Sequence, residues 1–179
     1  MTTLPGKIVA IHSALASGEI AHAFGGALAL AWCTQRARGT IDIDVNLFVD
    51  SANAPEVLPS LPGEVVWTAD DVEMIERDGH VRLWWDSTPV DVFFDTTDFH
   101  RQAATRVRWE DFGGTLLPFL SCADLAVFKA FFNRTRDWAD LEEMHAAGTL
   151  DHDRVIGVLV RYLGRDDERI DHLLEVTAT

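Results

Sequence analysis

Two groups of residues near the start of the chain have the types and spacing that phosphate chemistry needs. Gly25-Gly26 stand before a predicted helix, where glycine lets a phosphate approach the backbone and the helix N-terminus presents free N–H groups. Asp42 and Asp44 alternate with apolar residues in a predicted strand over 41–49, which would place both carboxylates on one face. Mg²⁺ is usually held by one or two carboxylates together with substrate phosphates. The spacing therefore indicates a metal–nucleotide site.

These residues resemble a known family signature. Gly25-Gly26 followed by Arg38-Gly-Thr-Ile-Asp42-Ile-Asp44 is similar to the DNA polymerase β-like nucleotidyltransferase superfamily. Within that superfamily it resembles the AbiEii-type toxin-related branch, with the lincosamide-type antibiotic nucleotidyltransferases as a second relative. The wider superfamily often has Gly-Ser where this chain has two glycines, which fits this branch. The resemblance implies an α+β (α/β) fold, with a small mixed sheet, flanking helices and C-terminal helices.

A third carboxylate follows in a predicted hairpin of strands 80–85 and 89–95. Asp91 lies in the otherwise apolar run Val-Asp-Val-Phe-Phe, and an unpaired buried carboxylate is costly, so it must be paired, metal-bound or at the end of the sheet. The resemblance carries the third metal-ligand role to Asp91, with Asp95 as the alternative. A solvated edge position for Asp91 is the structural interpretation left open.

Lys129 is the single cation in an apolar helix predicted over 123–133, so it either reaches solvent or lies against an anion. In a helix continuing straight, Lys129, Asn133, Arg136 and Asp140 would lie within about 40° of one face. The pattern resembles a helical motif of the AbiEii-type branch, which implies that Lys129 binds nucleotide phosphate. Arg136 and Asp140 are predicted to form an i,i+4 pair.

Arg38 precedes the aspartate strand. Two roles are open for it: neutralising the charge that develops on the leaving group, or forming a structural ion pair.

The bulk composition limits the classes of partner. The 179 residues suffice for one compact unit, with a core predicted over 1–120 and a helical region over 121–179. A net charge of −14, spread along the chain, disfavours stable non-specific binding of nucleic acid. Cys33 and Cys122 are predicted to be buried free thiols. Without a signal-like or membrane-spanning segment, the protein is expected to be cytoplasmic.

The remaining pattern alternates helices and short strands. The apolar spacing over 7–20 predicts a first helix that ends near Gly18, and Ser121 to Asp124 matches a helix cap. Residues 70–77 are left open between a short helix and a loop. The other predicted elements are strands 21–24, 64–68, 107–112 and 115–119 and helices 27–34, 55–61, 151–163 and 166–176. The seven histidines have no zinc-ligand spacing.

The resemblance implies a metal-dependent nucleotidyltransferase that moves a nucleoside monophosphate from an NTP to an acceptor hydroxyl. Asp42, Asp44 and Asp91 would hold two Mg²⁺ or Mn²⁺ ions, and Gly25 and Gly26, with Lys129, would hold the triphosphate. The acceptor is a small molecule, a protein or a tRNA, and the negative charge favours the first two. One alternative is a catalytically quiet domain that binds nucleotide or acts in a toxin–antitoxin interaction with an antitoxin-like partner. The other is a purely structural module.

Overall fold

The computed structural model describes residues 2–178. Its strands are β1 (His22–Phe24), β2 (Ile43–Asp50), β3 (Val65–Val66), β4 (His80–Trp85), β5 (Thr88–Asp95), β6 (Arg108–Phe112) and β7 (Thr115–Phe119). Within the described residues these seven strands form one sheet in the order β3-β4-β5-β2-β1-β7-β6. β2 runs parallel to β5 and β1 parallel to β7, and the other neighbours are antiparallel.

The sheet forms because apolar residues alternate along its central strands. In β4, Val81, Leu83 and Trp85 are buried while the residues between them are exposed, the period-two pattern of a sheet with one covered face. Ile43 and Val45 of β2 are fully buried on the same principle. The opposite face of β4 therefore carries Arg82 and the exposed Trp84.

The helices begin and end at recognisable signals. They are α1 (Leu4–Ser17), α2 (Gly26–Thr34), α3 (Ala54–Val57), α4 (Ala69–Asp78), α5 (Asp98–Ala103), α6 (Cys122–Phe132), α7 (Thr135–Ala146), α8 (His152–Leu163) and α9 (Glu168–Thr177). Thr68 caps α4 in a capping box with Asp71, and Gly79 ends it at φ +73°. The hydroxyl of Ser121 accepts from the backbone N–H of Asp124, as the sequence predicts.

The chain divides into two compact units. Unit 1 comprises Gly39–Leu120 and the described residues up to Leu28, and it contains the whole sheet with α1, α3, α4 and α5. In unit 1 the buried Lys7 of α1 donates to the carbonyl of Trp85 at 2.7 Å, which fastens α1 to the end of β4. Unit 2 comprises Ala29–Arg38 and the described residues from Ser121, so residues 29–38 join the helical region predicted over 121–179.

The predicted mixed sheet with flanking helices is confirmed. Two local features differ from the sequence prediction. β2 begins at Ile43 rather than at residue 41, and α5 has no counterpart in the sequence prediction. The helix predicted over 123–133 corresponds to α6, which ends at Phe132. The helix does not continue straight to Asp140, because Asn133 takes φ +55°, a left-handed conformation that asparagine tolerates. No helix in residues 2–178 is both long and apolar enough to cross a membrane.

Candidate active site

Three polar residues lie side by side across the centre of the sheet in unit 1. Asp44 of β2 is in register with Asp91 of β5, and Asp91 is in register with Arg82 of β4. Neighbouring strands lie about 4.8 Å apart, and residues in register point to the same face. The sheet therefore presents Asp44, Asp91 and Arg82 as one row on the face opposite the apolar residues of β2 and β4.

Gly26, at the start of α2, lies directly against Asp44. A Cβ atom at Gly26 would come within 1.8 Å of Asp44 Oδ2, and Gly26 also has φ +51°. The backbone N–H of Gly25 donates to the carbonyl of Asp44 at 2.9 Å. Glycine is thus required at Gly26 both by its backbone conformation and by the Asp44 carboxylate. The diglycine turn brings the N-terminal end of a helix beside a carboxylate, as an anion site next to a metal site requires.

Asp42 lies just before the strand and not within it. Its carboxylate accepts a hydrogen bond from the hydroxyl of Thr40, and the intervening Ile41 is 79% exposed. The prediction that one strand places Asp42 and Asp44 on the same face is therefore wrong in its reason, because β2 starts one residue after Asp42. The two carboxylates still act on one neighbour, since the charges of both raise the pKa of Arg82.

Arg82 is the residue of this row that sequence reasoning missed. Its Nε donates to Asp91 Oδ1 at 2.7 Å and its Nη2 to Asp91 Oδ2 at 2.6 Å, so both carboxylate oxygens are engaged. The hydrogen bond to Asp91 is the main cause of the raised pKa of Arg82. The Asp91 side chain is 16% exposed and that of Arg82 is 52% exposed. The only signal for Arg82 in the sequence is its place two positions before a tryptophan in the strand predicted over 80–85.

Asp95, the alternative third carboxylate, lies in a different setting. It is 3% exposed, its Oδ2 accepts from Arg101 Nε at 2.8 Å, and it is in register with Asp50 at the far end of β2. Asp91 is therefore the β5 carboxylate that lies opposite Asp44. Asp95 instead fastens α5, which carries Arg101, to the end of β5.

The residues present can be compared with the needs of a divalent cation. Among residues 2–178, no three or more His, Cys, Asp or Glu side chains are arranged to hold a metal ion, and Asp91 is engaged by Arg82. Mg²⁺ needs only one or two carboxylates when substrate phosphates supply other ligands. Asp44, beside the Gly26 turn, and Asp42 fit that requirement. Asp91 fits it only after leaving Arg82.

In unit 2, Lys129 is 6% exposed and lies among carboxylates. Its Nζ lies 2.5 Å from Asp140 Oδ2 and 3.6 Å from Asp137 Oδ1. Asp137 also accepts from Arg134 at 2.6 Å. Of the two possibilities left open for Lys129, the structure has the contact with an anion, here two buried carboxylates. A buried ammonium group is costly unless it is paired.

Arg38 belongs to the same network, which we call the Lys129 network: Arg38, Lys129, Arg134, Asp137 and Asp140. Arg38 Nη1 donates to the carboxylate of Asp140. The predicted pair of Arg136 with Asp140 is therefore wrong, since Asp140 is taken by Lys129 and Arg38 while Arg136 is exposed. Arg136 and Asp140 both lie in α7 at the predicted i,i+4 spacing, but Asp140 is buried against Lys129 and Arg38 while Arg136 is exposed.

The two cysteines form a disulfide in unit 2. Cys33, near the end of α2, and Cys122, at the start of α6, have Cα atoms 5.6 Å apart although 89 positions separate them. This spacing lies within the range that a disulfide bridges. The prediction of free thiols is wrong because the sequence separation gave no indication that the two helices bring their cysteines together.

Comparison with known proteins identifies the fold. No protein-family model and no curated protein sequence matches the chain. The antibiotic-resistance factor ANT(2'')-Ia, a nucleotidyltransferase, superposes with a TM-score of 0.62 at 12% identity, covering 96% of each chain. An antigenic nucleotidyltransferase-like protein from Paracoccidioides brasiliensis gives a TM-score of 0.49 at 15% identity, covering 96% of this chain and 85% of the other. From the first of these, the chain has a nucleotidyltransferase fold.

Proposed function

We propose that the protein is a metal-dependent nucleotidyltransferase that transfers a nucleoside monophosphate from an NTP to an acceptor hydroxyl. The observation that carries the proposal is the contact between Gly26 and Asp44. A helix-initiating glycine and a strand carboxylate lie so close that a methyl group could not stand between them. This contact joins an anion-binding helix end to a metal-binding carboxylate, the pair of functions that a metal–triphosphate requires. The nucleotidyltransferase fold supports the same reaction class.

Each candidate residue has a distinct role in this proposal. Asp42, Asp44 and Asp91 hold Mg²⁺ or Mn²⁺, and the backbone of Gly25 and Gly26 holds phosphate oxygens. The bound metal supplies Lewis-acid activation of the phosphoryl group and of the acceptor hydroxyl. The carboxylates orient the donor, and the diglycine turn keeps its phosphates beside Asp44.

Two cations of unit 2 have proposed roles that rest on the family resemblance. Lys129 is proposed as a phosphate ligand, and Arg38 as a group that neutralises charge on the leaving pyrophosphate. Both are engaged by Asp140 in the structure. Either role therefore requires the cation to exchange a carboxylate for a phosphate, and the guanidinium fork of arginine can bind both groups through two nitrogens.

The acceptor is proposed to be a small molecule or a protein side chain rather than RNA. The net charge of −14 repels a polyanion. Trp84 of β4 lies on the same face as Arg82 and is 48% exposed. It is in register with the exposed Val66 of β3. This apolar surface beside the carboxylates suits an acceptor with a ring or methylene surface. Assignment to the AbiEii-type branch, with an antitoxin-like partner and a cytoplasmic location, belongs to the same proposal.

The first experiment measures thermal stability with each ribonucleoside triphosphate, with and without Mg²⁺. A ligand at 100 times its dissociation constant stabilises the folded state by about 2.7 kcal/mol. We expect a Mg²⁺-dependent shift with at least one triphosphate in the wild type and its loss in Asp44→Asn. Glu73→Gln, an exposed α4 substitution with the same charge change, is the control and should keep the shift. Absence of a shift with all four triphosphates would contradict the proposal.

A second candidate function is a catalytically quiet nucleotide-binding domain. The observation that favours it is the engagement of both Asp91 oxygens by Arg82, which withholds one proposed metal ligand. Pyrophosphate release in the presence of NTP, Mg²⁺ and a panel of hydroxyl acceptors separates the two. Binding that depends on Asp44 but never gives pyrophosphate would favour the quiet domain.

A further inference from the structure

The Arg82–Asp91 pair joins two neighbouring strands through a two-nitrogen fork. The guanidinium donates through two nitrogens, Nε and Nη2, to the two oxygens of a single carboxylate at 2.7 and 2.6 Å. The two residues are in register on adjacent antiparallel strands, so the backbone holds their Cβ atoms at pairing distance. This fork geometry is the strong form of a charge-assisted hydrogen bond. Asp91 is therefore held in one orientation by a partner within the same sheet.

The position of the pair ties it to the candidate metal site. Asp91 is in register with Asp44 on its other side, so a single carboxylate has Arg82 on one side and Asp44 on the other. Each Asp91 oxygen already accepts a short hydrogen bond from the guanidinium. A metal ion binds the same negatively charged oxygens, and the charge of a nearby arginine opposes the approach of a cation. Arg82 and a divalent cation are thus competitors for Asp91.

Exposure of the two side chains makes such an exchange feasible. The Arg82 side chain is 52% exposed, and that of Asp91 is 16% exposed. A guanidinium that swings away from Asp91 can be hydrated, so leaving the pair does not strand a buried charge. Lys129, in contrast, is only 6% exposed and would lose its compensation on leaving its carboxylates. The exchange is therefore inexpensive at Arg82.

We propose that Arg82 is a positioning residue that occupies Asp91 in the metal-free protein and yields it to the divalent cation. The proposal rests on the nucleotidyltransferase function proposed above. Asp42 and Asp44 are available to the metal ion from the start, and Asp91 becomes a ligand when Arg82 releases it. Arg82 thereby keeps the third carboxylate neutralised and correctly oriented until metal arrives, and it lowers the affinity of the nucleotide-free protein for metal.

Binding of Mn²⁺ to the nucleotide-free protein, followed by titration calorimetry and by the electron paramagnetic resonance signal of free Mn²⁺, tests this role. We expect Arg82→Ala to bind Mn²⁺ about tenfold more tightly than the wild type, because a competing charge-assisted hydrogen bond is removed. Arg82→Lys keeps the charge but loses the two-nitrogen fork, so its affinity should lie between the two. Arg77→Ala, an exposed arginine of α4, is the control for loss of one positive charge and should match the wild type.

The substitution Asp91→Asn separates occupation of the carboxylate from a general charge effect. In an Asp91→Asn background, Arg82→Ala should give no further tightening, because the group that Arg82 withholds is already gone. Equal tightening with and without Asp91 would overturn the proposal, and so would Mn²⁺ affinity in Arg82→Ala that matches the wild type. Circular dichroism checks that each variant is folded, and Arg82→Lys provides the test independently of Arg82→Ala.

The outcomes also distinguish this inference from the proposed function. Mn²⁺ binding that depends on Asp44 but is insensitive to Arg82 overturns only the role of Arg82. Mn²⁺ binding that appears only in Arg82→Ala supports the role of Arg82 directly. Absence of Asp44-dependent Mn²⁺ binding in both the wild type and Arg82→Ala overturns the role of Arg82, whereas the proposed function is decided by the triphosphate-dependent shift in thermal stability.

Discussion

The two units use charged side chains in opposite ways. In unit 1, Arg82 holds Asp91 on an open face of the sheet, and the arginine side chain is about half exposed. In unit 2, Lys129 and Asp140 are almost completely buried and hold each other at 2.5 Å. A buried charge that loses its partner is strongly destabilising, whereas an exposed one can be hydrated. The comparison indicates that the Lys129 network maintains the fold, while the row on the sheet is free to exchange partners with a ligand.

The largest expected effect removes the central cation of the Lys129 network. Lys129→Met removes the ammonium group shared by two buried carboxylates and leaves Asp137 and Asp140 with one arginine each, so we expect a loss of about 3–5 kcal/mol in the free energy of unfolding, measured with urea. Arg136→Ala, an exposed α7 substitution, should change stability by less than about 0.5 kcal/mol.

The same variant tests the proposed phosphate role of Lys129. At a temperature where Lys129→Met is folded, a weakened affinity for triphosphate would assign Lys129 a ligand role in addition to its structural one.

The stability prediction for Lys129→Met has its own contrary outcome. A destabilisation below about 1 kcal/mol would contradict the view of a buried compensated network, because surface pairs lie in that range.

The second effect is on the covalent link of unit 2. The double substitution Cys33→Ser, Cys122→Ser should lower the free energy of unfolding by about 2–4 kcal/mol, since the disulfide closes a long loop in the unfolded chain. Wild-type protein treated with a reductant should show the same loss. Equal unfolding midpoints with and without the reductant would show that the link contributes nothing.

This measurement also bears on where the protein works. Stable disulfides are rare in the cytosol, where thiols are kept reduced. Thiol trapping followed by mass spectrometry on protein taken directly from cells reports whether Cys33 and Cys122 are linked there.

The third effect is steric and lies in unit 1. Gly26→Ala places a methyl group against the Asp44 carboxylate at a left-handed backbone position, so we expect a loss of about 2 kcal/mol in stability together with loss of Mg²⁺-dependent triphosphate binding. Gly63→Ala is the matched control, because nothing lies within 4 Å of its Cβ position. Unchanged triphosphate binding in Gly26→Ala would show that the glycine does not shape the site.

The smallest expected effect on stability is that of Asp91→Asn. Its partner Arg82 is half exposed and can be hydrated, so the free energy of unfolding should change by less than about 1 kcal/mol. Metal affinity should fall in the same variant. A loss of stability as large as that of Lys129→Met would show that the Arg82–Asp91 pair also maintains the fold. The two units would then not differ in how they use charged side chains.

Much of the architecture could be predicted from the pattern along the chain. The alternation in β4 and β5 and the diglycine before α2 are local signals, and the structure has the corresponding hairpin and helix where they were predicted. The start of β2 was placed too early because Ile41 continues the apolar alternation although it is 79% exposed. Periodicity reports which residues could be buried, but only pairing with β5 decides where the strand starts.

The candidate site was predictable in its residue types and less so in its partners. Asp44 and Gly26 were singled out from spacing, but their close contact follows from the pairing of β1 with β2 and the turn into α2. Arg82 was missed because an exposed arginine in an alternating strand is ordinary until its register with Asp91 is known.

The sequence by itself determined the mixed α/β character, the positions of most helices and strands, and the candidate carboxylates, because these depend on periodicity, caps and turns within a few residues. Only the tertiary structure decided the disulfide, the Lys129 network and the engagement of Asp91 by Arg82. Each of these joins side chains on different strands or helices. Their meeting is set by register and packing, which local sequence does not encode.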